Sequence, residues 1–327
     1  MRSSAAWTIA VSLCLCSVVF ATSERSNLPT RILVTSVTYD DGAGNNLQGP
    51  SGICFDRHAG EVVVAATGNS RISIYDQNLI PRFSSIHFVT DSTTGKSVAG
   101  SPRGVAVLSS GEMLVVDNLA RYVDVLDYRG APITRLYPPD LVGDKKLRLR
   151  PTAVCVDDSD NIYLAVTGDW ETVLVLNSNL EFQRQIGQKG SDLENFSTIL
   201  GLTVADGRLY VTDLYAFPAV KVFDTSGQYL FGFAGHAQEN PDLSMPEGIG
   251  VVRDLLGESM IMVPDALRHA LKAYTLNGEL VSIIGGYGVK IGEWQYPSGV
   301  AIGTNNVFFV LEKGNGRIQK VEIRPPH

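Results

Sequence analysis

The chain is poor in the residues from which most catalytic and metal centres are built. It has four cysteines and five histidines in 327 residues. Cys14 and Cys16 lie in an N-terminal apolar run, which leaves Cys54 and Cys155 for the rest of the chain. Both sit in strand-like stretches, GICFD and AVCVD, and read as buried free thiols, not as nucleophiles. The histidines, His58, His87, His236, His269 and His327, are too scattered to converge on a zinc ion. No Gly-x-Ser-x-Gly elbow is present. Charged residues make up only 19% and form no helix-favouring runs, whereas 44% of the chain is apolar and glycine numbers 32. That balance excludes disorder and leans toward an all-β chain. Beyond residue 21 no apolar run is long enough to span a bilayer.

The one long apolar run is Ala5 to Ala21, preceded by Arg2 and ending Val19-Phe20-Ala21. It reads as a signal peptide, residues 1–21, cleaved after Ala21, with 22–30 as a short linker. An uncleaved anchor is the competing reading. A lipoprotein is disfavoured because leucines precede Cys14 and Cys16. The expected product is exported, periplasmic or extracellular, and monomeric. Loss of Arg2 takes the net charge from −7 to about −8, which argues against nucleic acid as a partner. The basic run KKLRLR at 145–150 reads as a solvated loop.

What the chain has instead is a period. A Pro-x-Gly phrase followed by alternating apolar residues recurs as PSGICFD at 50–56, SPRGVAVL at 101–108, RPTAVCVDD at 150–158, ILGLTVADG at 199–207, MPEGIGVV at 245–252 and YPSGVAIG at 296–303. The aligned residues Gly52, Gly104, Ala153, Gly201, Gly248 and Gly299 are spaced by 52, 49, 48, 47 and 51. Three further apolar runs follow each of the first five phrases and two follow the sixth, so the unit is four antiparallel strands. Six such sheets arranged radially cover one another's faces, which predicts a six-bladed β-propeller with blades starting near 50, 102, 151, 199, 246 and 297. Within the first strands a small column (Cys54, Ala106, Cys155, Thr203, Gly250, Ala301) neighbours a large one (Ile53, Val105, Val154, Leu202, Ile249, Val300). Such a size difference suits blades stacked around a crowded axis. It also puts Cys54 and Cys155 in non-adjacent blades, which argues against a disulfide. The sixth copy has only three strands, so Arg31 to Val37 is predicted to complete it and close the ring. The propeller then spans 31–324, with 325–327 as a tail.

The phrases Gly68-Asn69-Ser70-Arg71-Ile72 and Gly314-Asn315-Gly316-Arg317-Ile318, together with Pro-x-Gly, resemble the NHL repeat family. Blades two, three and five depart from its pattern in the loop between second and third strands. The resemblance implies a rigid platform for partners. Related propellers include calcium-dependent lactonases and esterases, strictosidine synthase-like enzymes and a zinc-dependent peptide-amidating lyase.

The hairpins between first and second strands are short, whereas the connections between blades are long, at 88–101, 136–150, 187–198, 234–246 and 285–297. Topology places those connections and the loops between second and third strands on one face. A binding surface is expected there, for a protein, peptide or glycan. Its candidate anchors are Arg121 and Tyr122 in blade two, Trp170 and Glu171 in blade three, Tyr215 and Phe217 in blade four, and Trp294, with Tyr296 beside it, before blade six. No catalytic residue and no cofactor is expected. The alternative is a hydrolase or lactonase with axial calcium, for which Asp117, Asp213, Asp265 and Glu312, at the ends of second strands, are the candidate ligands. Asn195-Phe196-Ser197 fits a glycosylation sequon.

Overall fold

A computed structural model describes residues 31–324 except 92, 237–238 and 254–258. The predicted signal peptide, the linker at 22–30 and the tail at 325–327 lie outside the described residues. The chain forms six four-stranded antiparallel sheets arranged as a six-bladed propeller. Each blade's first strand is innermost: Gly52–Asp56, Pro102–Val107, Leu149–Val156, Ile199–Ala205, Gly250–Arg253 and Pro297–Ile302. Blade five starts its inner strand later than the repeat predicts. Its Pro246 makes only an isolated bridge to Asp265 before the regular ladder begins at Gly250. The ring closes as expected. Arg31–Thr38 pairs antiparallel with Arg317–Arg324 as the outer strand of blade six.

Six of the seven buried clusters among the described residues fill the six boundaries between neighbouring blades, and the seventh, Val89 with Ala120 and Tyr122, lies beneath the connection from blade one to blade two. The two columns read from the sequence meet across these boundaries. Cys54 of blade one packs in the cluster with Val105 of blade two. Ala106 packs with Val154, Cys155 with Leu202, and Ala301 with Ile53 of blade one. A small residue on one blade makes room for a large one on the next, so each boundary is filled without overpacking.

The recurring glycine serves the same crowding. A Cβ on Gly52 would lie 2.5 Å from the Arg103 carbonyl oxygen and 2.8 Å from Gly104 Cα. On Gly201 it would meet the Glu247 carbonyl oxygen at 2.9 Å. Inner strands of neighbouring blades approach backbone to backbone at these points, and only glycine permits that. Blade three carries Ala153 there, and the strands are correspondingly looser: the built Cβ of Gly104 lies 3.9 Å from Ala153 Cα.

On the opposite rim each outer hairpin turns on a side-chain acceptor. Asp76, Asp127, Asn177 and Asp224 each take backbone N–H bonds from residues two and four ahead, and Thr275 does so through its hydroxyl. These local bonds compensate groups the ladder leaves unpaired. One element was not legible. The connection from blade one to blade two contains a small extra hairpin, Phe88–Thr90 with Ser97–Ala99. A four-residue helical turn, Pro138–Leu141, lies in the next connection.

Candidate binding face and axial channel

The four carboxylates proposed as axial ligands are buried latches that tie each connection to its blade. Asp213 accepts the backbone N–H groups of Ser197 and Thr198 at 2.8 Å, and its Oδ2 lies 3.8 Å from Lys221 Nζ. Asp265 accepts from Ser244 and Met245 at 3.0 Å and lies 3.7 Å from Lys272 Nζ. Glu312 accepts from Gln295 N, Asn315 Nδ2, Gln319 Nε2 and Arg317 Nε. In each blade the acid ends the second strand and the cation stands on the third. Burial pulls Lys221 below its ordinary range and Lys272 down to about 8, against the pull of the paired acids. None of the four carboxylates lines the axial channel. Their bonds are already taken by backbone and cations, so this donor set does not present a ring to a metal ion. Among the described residues no three histidine, cysteine or acidic side chains cluster as a metal site.

Blade two is the variant case. Asp117 accepts from Ser101 N at 2.7 Å and Leu119 N at 2.8 Å, but its cation is a histidine from the preceding connection. His87 is buried, with Nδ1 2.9 Å from Asp117 Oδ2 and Nε2 3.0 Å from Asp124 Oδ2. Both ring nitrogens face carboxylate oxygens, so only the imidazolium can donate to both. Burial disfavours the charged ring, but the two acids outweigh it and raise the group to about 9. Arg135 holds the other oxygen of Asp124 at 3.1 Å.

The predicted anchors divide. Tyr215 and Phe217 are 74% and 72% exposed, and Arg121 is exposed. Trp170 is half-buried against the cluster between blades two and three. Tyr122, Glu171 and Trp294 are buried and do not present contact surface. The Tyr122 hydroxyl accepts from Thr90 N, and its ring lies under the Arg135 guanidinium, so it holds the extra hairpin. Glu171 accepts from Ile199 N at 3.0 Å and from the Thr167 hydroxyl at 2.7 Å; it is a latch moved into the loop, in a blade whose second strand ends without an acid. Trp294 is 1% exposed and donates from Nε1 to the Ile284 carbonyl.

A signal for Trp294 was available. Phe196, Leu243 and Trp294, all buried, each lie nine residues after a positive-φ residue, Gly187, Ala234 or Gly285. They are one structural position in three connections. A Cβ on Gly285 would fall within 1.9 Å of the Trp294 ring, which is why glycine stands there. The two Gly-Asn-x-Arg-Ile phrases are structural as well. Asn69 donates to Asp41 and to the Asn46 carbonyl, and Asn315 donates to Glu312 and to the Gly288 carbonyl. Each asparagine pins the incoming connection. Asn195 of the sequon is 5% exposed and spends its amide on Asp192, so the folded chain has no room for a glycan there.

What the structure adds to Tyr215 and Phe217 lies on the next blades. Leu267 stands exposed in the loop of blade five, and Tyr287, Val289 and Tyr296 stand exposed in the connection to blade six. His269 Nδ1 accepts from Tyr296 N at 3.1 Å, and its ring meets Tyr287 and Tyr296 edge-on, with centroids 4.9 and 4.6 Å away. Exposed apolar side chains also stand on the earlier blades, at Phe88, Leu119, Tyr137 and Leu193, but the most exposed of this face, Tyr215, Phe217, Tyr287 and Val289, sit on blades four to six.

Through the centre runs a channel of about 490 Å³ lined by the six inner strands. Cys54 and Cys155 stand on its wall as free thiols, and burial pushes both well above the ordinary thiol range.

No protein-family model and no curated protein matches the chain. The fold is nonetheless shared with many solved structures. A Bacteroides thetaiotaomicron protein of unknown function is 16% identical, with a TM-score of 0.60 over 90% of this chain and 76% of that one. A gluconolactonase from Xanthomonas campestris is 13% identical, with a TM-score of 0.61 over 90% of both chains. A streptogramin B lyase is 13% identical, with a TM-score of 0.53 over 90% of this chain and 98% of that one. At such identities the likeness establishes a six-bladed propeller and leaves the choice between scaffold and enzyme to the site.

Proposed function

We propose that this protein is an exported, non-catalytic binding module that receives a protein or peptide on its long-loop face. The observation that carries the reading is the set of exposed large apolar side chains on consecutive blades: Tyr215, Phe217, Leu267, Tyr287, Val289 and Tyr296. Mixed aromatic and aliphatic contacts of this kind suit a polypeptide better than a glycan, which would ask for more directed polar groups beside the rings. The Pro-x-Gly and Gly-Asn-x-Arg-Ile phrases support an NHL-type platform. The engaged state of Asp117, Asp213, Asp265 and Glu312 weighs against the calcium-dependent hydrolase. The test is a pulldown from native extract with wild type, with the double variant Tyr215→Ser/Phe217→Ser, and with Tyr128→Ser on the opposite face as control. Partners lost in the double variant and kept in the control support the reading. Unchanged partners refute it, as does stoichiometric bound calcium accompanied by lactonase or esterase turnover.

A further inference from the structure

The second residue of each Pro-x-Gly phrase, or its equivalent, forms a ring at the long-loop mouth of the axial channel. Reading round the blades, the ring is Ser51, Arg103, Thr152, Leu200, Glu247 and Ser298, and all six line the channel. Four of them are satisfied or apolar. Ser51 Oγ accepts from the Thr67 hydroxyl at 3.0 Å, and Ser298 donates to the Pro50 carbonyl at 3.1 Å. Glu247 is paired with Lys313, and Leu200 has nothing to pair. The other two, Arg103 and Thr152, stand on adjoining blades. Among the described residues the Arg103 guanidinium makes no hydrogen bond or ion pair, and Thr152, 6% exposed, has an Oγ1 with no partner.

Two unmatched polar side chains side by side at the opening of a channel ask for a ligand. We propose that this mouth is an oxyanion site, built on Arg103, that takes the carboxylate or phosphate group of a small ligand. Charge and shape agree on the class. The acid of the ring is neutralised by Lys313, and Glu247 faces Arg103 only from the opposite blade. Burial and the nearby Arg150 disfavour the charge of Arg103, and the attraction of Glu247 across the channel does not make up for them. An anion relieves both effects at once. The planar guanidinium offers a two-pronged fork matched to two oxygens of one carboxylate or phosphate. The inner strands are sheet edges, so their free backbone groups face the same channel and add donors below the arginine.

The test is a titration of the purified full-length protein with inorganic phosphate, and separately with acetate, at constant ionic strength with chloride as the balancing anion. The readout is the thermal midpoint and the titration heat, for wild type and for Arg103→Gln. The expected result is a saturable upward shift of the wild-type midpoint with one or both anions, weakened about tenfold or more in the variant, as loss of a charged hydrogen bond implies. The arm that saturates at lower concentration identifies the group. In chloride buffer without phosphate or acetate Arg103→Gln is expected to melt at or above wild type, because it removes an unpaired, half-buried cation. No saturable shift in wild type overturns the proposal, and so does an equal shift in the variant. A variant that fails to fold, or melts lower in chloride buffer without phosphate or acetate, assigns Arg103 to the fold and overturns it too.

Discussion

Removing His87 should take away a loss of stability that sets in as pH rises, and the size of the change follows from its two carboxylates. The imidazolium donates to Asp117 at 2.9 Å and Asp124 at 3.0 Å while almost wholly buried. Around it stand Asp117 from the second strand of blade two, Asp124 from the third, and Arg135 from the fourth on the far oxygen of Asp124. The folded group titrates at about 9 against an ordinary value of 6.5. A shift of that size is worth about 3 kcal/mol. The folded value is raised, so the contribution is complete below pH 6.5 and is lost as pH rises through 9. Lys272, held near 8 by burial, titrates in the same window with the opposite sign, since a depressed base stabilises as it loses its proton. The assay must therefore be a difference. Urea unfolding of wild type and His87→Gln at pH 6 and pH 10 should show a stability gap that narrows by roughly 2–3 kcal/mol at the higher pH. The Lys272 contribution cancels. A gap that does not change between the two pH values refutes the imidazolium bridge. A gap that widens reverses its sign.

Other perturbations test the ring itself. Gly52→Ala should cost about 1–3 kcal/mol in urea unfolding, because its Cβ meets a neighbouring backbone at 2.5 Å. Gly104→Ala at the equivalent position should be close to neutral, since its nearest neighbour is a side chain at 3.5 Å; equal costs would remove the close-approach argument. Asp213→Ala strands buried Lys221 and two backbone N–H groups, so a loss of about 3–5 kcal/mol is expected by the same assay. Cys54 and Cys155 should resist a thiol reagent at neutral pH and react fully in denaturant. Fast labelling of the folded protein would show that the channel admits the reagent to reactive thiolates.

The fold was legible because its determinants repeat. Spacing, a column of small residues against a column of large ones, and a missing fourth strand at the end are each visible in one sequence, and together they leave little besides a closed six-blade ring. The candidate face was legible for the same topological reason. Its anchors were not. Whether a loop aromatic is exposed depends on what the neighbouring connection lays over it. Tyr122 is covered by a hairpin that alternation does not announce, in a stretch that reads as loop. Glu171 and Thr167 show a latch displaced from strand end to loop, which alignment by strand alone misses. Trp294 could have been recovered by applying the period to the connections as well as to the strands.

The repeat then supplies a rule for separating structure from function here. A side chain whose equivalents in other blades do the same work belongs to the ring, however functional its chemistry looks: Asp213, Asp265 and Glu312 hold connections, and Trp294 does what Phe196 and Leu243 do. A side chain that departs from its equivalents has to be asked whether the departure is repaired nearby. His87 and Glu171 are repairs, restoring a charge partner or an acid where the blade lacks one. Tyr215, Phe217 and Tyr287 depart and remain exposed. Arg103 departs, and no group among the described residues pairs with it. Departures without repair bring the ring no stability, and an exposed ring or a half-buried cation carries a cost. They are where a partner or a ligand has something to complete.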